Sequence, residues 1–582
     1  MEQCRKMDFA GPASILTFRA RTAVILAVFA CWAGFSGPAC AQSVSSDAIV
    51  SRARDLLAHE QWQLLVDLAA SSQPRSAELE YLYGTALGRL GHWDDAAAAF
   101  HRGLALAPGD ARFLVELAGV KFKEKHYSEA SALLRQALDI SPGDTYANEF
   151  LGTVYFLERN LEAALKYWNR VGKPEIASVI PEPPPKTAPA LLDQTFAFSP
   201  ASVMTLNELY RSEARIHNLA VFSSSGLNLI PRDDSKFDVL FRNEEHNGFG
   251  SSKLEVLLML LRGLPAEEVN PEYFNFRHHA TNFEAFYRWD GQKRRWQGTV
   301  SGLVRDDPER RYWSGFDVRN ENWDLRTAFR GPADQLGSFN MRREAVGANL
   351  FSLVGGHWSW SAGAELSHRD FRSVAPGRAI TAALLSPGAQ LKEITKLDID
   401  LWRFPERRMS LKAAVSSEAG RLWSTPNESF LKTQGMARFH WFPQAEGEDY
   451  ELQQRVLTGK TFGDEPIDEL FILGVLGDNA LQMRGHVTTR QGRKGSGPMG
   501  RNYFVSNSDF DKTLFSKWGL TAKMGPFLDI GKITDSTPAL GSHEWLYDVG
   551  FKVRGSLFGM GAVFIYGKDL RTGNNAFTVE LE

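Results

Sequence analysis

The chain carries few of the residue constellations that do covalent chemistry. There is no G-x-S-x-G turn for a nucleophile, no H-E-x-x-H helix for a metal, no phosphate-cradling P-loop and no dinucleotide fingerprint. His278-His279 reads as a structural or exposed pair. Glu244-Glu245-His246 does not form a metal set, because consecutive residues of a strand point to alternate faces. No catalytic, metal or cofactor residue is therefore expected. The charge chemistry that stands out is Met483-Arg484-Gly485-His486, set in a polar, Gly-rich segment from about Gly474 to Gly500. An arginine is always charged and offers a planar fork of donors that matches carboxylates. In a polar lumen, two carboxylates can pin such a loop through charge-assisted bonds. Charge alone favours the plainer reading, a solvated loop arginine with aspartates that merely end strands.

The elements that follow narrow this choice. Strand-like runs occur at Arg501–Lys512 with Asp509, at Leu520–Lys532 with Phe527-Leu528-Asp529-Ile530-Gly531, and at Trp545–Leu557 with Asp548-Val549-Gly550. Gly561–Leu570 and Ala576–Glu582 complete the order. This order resembles the end of the bacterial outer-membrane assembly and translocation superfamily, the barrels typified by BamA, TamA and the two-partner secretion transporters. The resemblance implies that an Arg-Gly loop tip folds back into a 16-stranded barrel, with Arg484 and Gly485 at the tip. It implies Asp509 and Asp529, the latter beside Gly531, as the arginine's partners. The tip departs from the family's aliphatic-Arg-Gly-aromatic order at Met483 and His486, which predicts looser packing there.

The N-terminus fits export. Arg19 and Arg21 precede an apolar run from Thr22 to Phe35, closed by Ala39-Cys40-Ala41. This predicts a removable signal peptide over residues 1–41, because the run is too short for a spanning helix. All three cysteines, Cys4, Cys31 and Cys40, lie in that region, so disulfides and thiol chemistry are not expected afterwards. A net charge of −3 gives no argument for a nucleic-acid partner. The longest later apolar stretch, Leu254–Leu264, carries Glu255 and Arg262. A membrane span, if made, must then be made by strands.

Residues 42–173 repeat with a step of 34. Tyr83-Gly84 recurs as Leu117-Ala118 and Leu151-Gly152; Ala96, Ala130 and Ala164 keep the step, as do Phe100, Leu134 and Trp168. Small residues at a fixed step let paired helices cross closely, and large ones fill between them. The pattern resembles tetratricopeptide repeats, whose concave face usually binds a peptide or protein.

Residues 174–247 read as a small α/β unit around the proline-rich loop Pro181–Pro185. Ile176–Ile180 reads as a strand, Ser202–Leu219 as a helix, and Ser224–Pro231 with Phe237–Arg242 as a hairpin. The end of this unit resembles a POTRA domain, the periplasmic module that precedes the barrel in the superfamily.

From Gly248 to Glu582 alternation is repeated. In His357–Ser367, Trp358, Trp360, Ala362, Ala364 and Leu366 share one face, while Ser359, Ser361, Gly363 and Glu365 share the other. Apolar-out, polar-in alternation in short runs is the mark of a transmembrane antiparallel β-barrel, and 335 residues suit sixteen strands. The expected architecture is thus multidomain: a helical solenoid, one α/β unit, then a barrel over 248–582. The expected function is an outer-membrane protein assembly or translocation pore. Its periplasmic repeats would capture unfolded client chains or partner proteins, and outer-membrane lipid would surround the strands. A passive channel or anchor whose repeats scaffold partners is the alternative.

Overall fold

The computed structural model describes residues 39–249, 263–264, 267–326, 335–376, 384–425, 427–444, 447–476, 480–517, 520–537, 539–542, 544–557 and 560–581. The predicted signal peptide lies almost wholly outside these residues.

Eight helices open the chain: α1 (Ala39–Ala58), α2 (Trp62–Ser71), α3 (Ala77–Leu90), α4 (Trp93–Leu106), α5 (Ala111–Lys123), α6 (Tyr127–Ile140), α7 (Thr145–Leu157) and α8 (Leu161–Trp168). The 34-residue step has a capping counterpart. Ser76, Asp110 and Asp144 each stand just before α3, α5 and α7, and each side chain accepts a backbone N–H from the first turn. The small residues sit where helices touch. A Cβ on Gly84 would lie 2.6 Å from the Phe100 ring, and one on Gly152 would lie 2.3 Å from Trp168. Ala96, Ala118, Ala130 and Ala164 are fully buried.

The α/β unit comprises β1 (Ile176–Glu182), α9 (Pro189–Thr195), α10 (Leu206–Leu219), β2 (Phe222–Pro231) and β3 (Phe237–Glu245). Its sheet has the order β1-β3-β2, with β1 parallel and β2 antiparallel to the central β3. Pro181 falls inside β1, which an edge strand tolerates. The helix starts at Leu206 rather than Ser202, because Thr205 and Glu208 form a reciprocal capping box and Val203 is taken up in a β-bridge to Glu175. One apolar core runs through the last repeats and this unit, joining Leu134, Leu151 and Trp168 to Ile176, Leu209, Val239 and Phe241.

The remainder is a large antiparallel sheet: β4 (Glu268–Val269), β5 (Glu272–Phe276), β6 (Thr281–Trp289), β7 (Lys293–Val304), β8 (Asp307–Arg326), β9 (Gln335–Val354), β10 (Trp358–Pro376), β11 (Gly388–Phe404), β12 (Met409–Trp423), β13 (Glu428–Trp441) and β14 (Tyr450–Gly463). An inner segment carries the short strands β15 (Phe471–Leu473), β16 (Ala480–Leu481), β17 (Thr489–Arg490), β18 (Arg493–Lys494) and β19 (Met499–Gly500). The sheet resumes with β20 (Asn502–Lys517), β21 (Leu520–Thr534), β22 (Leu546–Leu557), β23 (Met560–Asp569) and β24 (Asn575–Leu581). β20 pairs with β14, so the strand order continues past the inner segment without a gap.

Phe316, Val346, Leu366 and Leu391 stand opposite one another on β8 to β11 and project from the same face, the first three about half exposed. The other face carries the inner segment. Lys494 pairs with Glu321 on β8, and Arg343 on β9, Arg369 on β10 and Lys392 on β11 reach Asp468 or Glu469. Its far side meets β20 to β23. A single segment touches strands so far apart in order only because the sheet curls around it. The helical array and the α/β unit sit against turns at one end of this sheet. Tyr167 donates to Glu406 at 3.0 Å, Asn160 to the Pro405 carbonyl at 2.8 Å, and Arg311 to the carbonyls of Asn218 and Leu219. No described helix is long and apolar enough to cross a membrane.

Candidate functional site

The site is built on a row of carboxylates. Strand register places Asn507, Asp529, Asp548 and Asp569 directly across from one another on β20, β21, β22 and β23. Asp509, two residues along β20, points to the same face, since side chains on a strand repeat every second residue. Like charges directly opposite in a sheet destabilise it unless cations answer them. The inner segment supplies those cations.

Arg484 is 4% exposed and Asp529 is fully buried. The guanidinium donates from Nε to Asp529 Oδ2 at 2.9 Å and from Nη1 to Asp509 Oδ1 at 2.5 Å, while Nη2 also reaches Asp529. The Arg484 backbone N–H donates to Asp529 Oδ2 at 2.9 Å. The planar group lies over the Phe527 ring, 3.8 Å from its centroid. Desolvation works against this charge, and the bonds to Asp529 and Asp509 more than offset it. Both aspartates have further partners: Lys552 lies 3.1 Å from Asp509, and Asn507 donates to Asp529 at 2.8 Å.

The glycines permit the approach. A Cβ on Gly485 would stand 2.7 Å from the Asp548 carboxylate and 2.8 Å from the Asp569 nitrogen. A Cβ on Gly531 would stand 2.7 Å from Met483 Sδ. Met483 is fully buried among Phe471, Leu473, Tyr503, Val505, Ile533 and Leu546. The tip is therefore not loosely packed, and the expectation drawn from its departures is corrected. Methionine is long and flexible enough to fill the space over Gly531. Histidine gains contacts of a different kind. His486 Nδ1 lies 2.9 Å from Asp548 Oδ2, and Nε2 lies 3.5 Å from Asp569 Oδ2.

His486, Asp548 and Asp569 have metal-ligating residue types and are all buried. Each ring nitrogen faces a different carboxylate, on opposite sides of the imidazole. As placed, the imidazole bridges two acids. Sequence reasoning missed this trio. The available signal was the spacing Asp-x-Gly at Asp529-Ile530-Gly531, repeated at Asp548-Val549-Gly550.

A second buried cluster holds the root of the inner segment and was equally unforeseen. Glu469 lies in a short turn, with Lys392 at 3.3 Å and Arg343 and Arg369 at 3.7 and 3.6 Å. Lys432 donates to its backbone carbonyl at 2.7 Å. Burial alone would raise the Glu469 pKa; the surrounding cations Lys392, Arg343, Lys432 and Arg369 hold it well below the usual carboxylate range. Glu244, Glu245 and His246 do not gather into one site: Glu245 binds Thr187 and Asn275, whereas His246 packs edge-on against Phe274.

Residues 89–151 match the family model for the tetratricopeptide repeat. No curated protein matches the chain. Among solved structures, BamA from Haemophilus ducreyi lacking POTRA domains 1–3 is similar over 70% of this chain and 85% of its own, at 10% identity and a TM-score of 0.41. CdiB from Escherichia coli is similar over 70% and 75%, at 12% identity and a TM-score of 0.42. MamA from Desulfovibrio magneticus RS-1 is similar over 22% of this chain and 73% of its own, at 17% identity and a TM-score of 0.21.

Proposed function

We propose that the chain is an outer-membrane barrel of the assembly and translocation type, resembling BamA and the two-partner secretion transporters. In this reading the sheet closes into sixteen strands surrounded by outer-membrane lipid. The repeats and the α/β unit, a POTRA-like module, lie in the periplasm and capture client polypeptides. The observation that carries the reading is the tip Arg484-Gly485, held inside a curled sheet by carboxylates on the strands that follow it. The outward apolar face supports a lipid environment. The shared core of repeats and α/β unit, seated on the turns at one end of the sheet, supports delivery of a client to that end.

A closing seam between first and last strands would offer an edge to a client by β-augmentation. A passive channel is disfavoured, because the inner segment reaches across the bore from β8–β11 to β20–β23. The test is fractionation followed by crosslinking. The protein should separate with the outer membrane and run faster on unboiled than on boiled gels. A photo-crosslinker on the concave face of the repeats should trap unfolded chains. Recovery in the soluble periplasm would end the barrel reading, and a barrel that traps no polypeptide would end the client reading.

A further inference from the structure

The Arg484 side-chain bonds reach only β20 and β21, while its carbonyl lies against Gly567 on β23. The next two strands, β22 and β23, are tied to the loop by His486, and β23 pairs directly with β24, the last described strand. We propose that His486 is a second positioning residue of the loop tip: a protonated imidazole that fastens the tip to the two strands beside the C-terminal edge and frees it when the proton leaves. The inference rests on reading the tip as a lock.

Three observations carry it. Asp548 and Asp569 stand directly across from each other in register, so two carboxylates on neighbouring strands require a positive charge between them. The imidazole presents one ring nitrogen to each, Nδ1 at hydrogen-bond distance from Asp548 and Nε2 at ion-pair distance from Asp569, and only the doubly protonated ring carries an N–H toward both. The Gly485 N–H also donates to Asp548 Oδ2, at 2.7 Å, so backbone and side chain of consecutive residues hold one carboxylate. Other charged groups complete the setting. Arg484 lies on the loop itself and is committed to Asp509 and Asp529. Asp529, the next carboxylate in the row on β21, adds negative potential around Asp548. Asp569 is also held by the Thr572 hydroxyl and the Arg571 N–H.

The direction of titration follows. Burial disfavours the imidazolium, but the hydrogen bonds and charges of Asp548 and Asp569 outweigh it, and the group is pushed up to about 9. A raised folded-state value means that the clamp is intact at and below the ordinary histidine range. It is lost as the pH climbs through about 9.

The test uses the full protein in lipid vesicles. No cysteine occurs between Gln42 and Glu582, so Gln482→Cys accepts a single nitroxide label beside the tip; it gives up the bond from Arg455 and keeps the one from Asn507 to its carbonyl, and it touches neither Asp548 nor Asp569. The label should be immobile up to about pH 8 and gain a mobile component with a midpoint near pH 9. His486→Gln should be mobile already at pH 7, His486→Lys should stay immobile past pH 9, and Asp569→Asn should lower the midpoint. Faster migration of unboiled samples reports a folded barrel for each variant. If His486→Gln does not fold, the Asp569→Asn midpoint decides. A wild-type spectrum with no alkaline step, or an unshifted midpoint in Asp569→Asn, overturns the proposal. If Arg484→Ala also leaves the label immobile at pH 7, the lock reading itself falls. If Arg484→Ala frees the label and His486→Gln does not, only the role of His486 falls.

Discussion

Replacing Arg484 with alanine removes the cation that bonds both Asp509 and Asp529. Breaking a buried ion pair by deleting one partner costs about 3–5 kcal/mol, because the other charge stays buried without its counter-charge. The structure argues for the lower end. Asp509 retains Lys552 at 3.1 Å, and Asp529 retains Asn507 at 2.8 Å and the backbone N–H of residue 484. The two carboxylates are thus not left bare, as a bare Arg-Asp-Asp triad would be. A cost of about 3 kcal/mol lowers the docked-to-free ratio of the tip roughly a hundredfold, at about 1.4 kcal/mol per factor of ten. The barrel itself should still assemble, since none of its strand pairings depends on Arg484. Single-channel recording in planar bilayers should show this as increased current noise at unchanged gel mobility. Asp529→Ala should give the same noise. The double variant should fall short of the sum of the single effects by about 1–3 kcal/mol, the coupling expected of groups in contact. Two single effects that simply add would refute the reasoning.

The root and the helical part give two further expectations. Glu469→Gln should remove the carboxylate that Arg343, Arg369 and Lys392 share, at a cost of about 3 kcal/mol, the lower end of the range, because Asp468, Glu365 and Glu418 still answer those cations and Lys432 keeps the backbone carbonyl. It should lower the temperature at which the fast-migrating band is lost, without mimicking the tip noise of Arg484→Ala; identical phenotypes would mean that root and tip are one unit. A fragment of residues 46–171 should be soluble and strongly helical by circular dichroism, and extending it to Glu245 should raise its melting temperature. The reason is that Leu151 and Trp168 share their core with Ile176, Val239 and Phe241. Equal melting of the two fragments would show that the α/β unit does not stabilise the repeats.

How much was legible in the sequence follows from how each contact is made. The repeats were legible because their packing is local. Gly84 meets Phe100, and Gly152 meets Trp168, sixteen positions on in each case, so the period is written into neighbouring sequence. Strand faces were legible because alternation has a period of two. Helix α10 was read four residues too long, since Val203 continues the apolar pattern while Thr205 ends it by capping. Arg484 drew notice through its tip motif. Asp548 stands out only as part of its Asp-Val-Gly run and with no partner, and Asp569 not at all, because in sequence both are ordinary aspartates near strand ends. Only register sets them opposite each other, and register depends on every hairpin between them. The Glu469 cluster was hidden for the same reason, its four cations coming from β9, β10, β11 and β13.

The four carboxylates that receive the tip belong to four consecutive strands, and the last of them, Asp569, ends β23. The tip precedes all of those strands in the chain. While the sheet forms, Arg484 and His486 therefore have no complete cradle until β23 has found its register. Closing so long a loop has an entropic cost that only the finished row offsets. A chain cut off before β22, or slipped by one residue in β22 or β23, would present too few acids to seat both cations. The tip then stays loose, and its docking acts as a reading of whether the last strands have been added correctly.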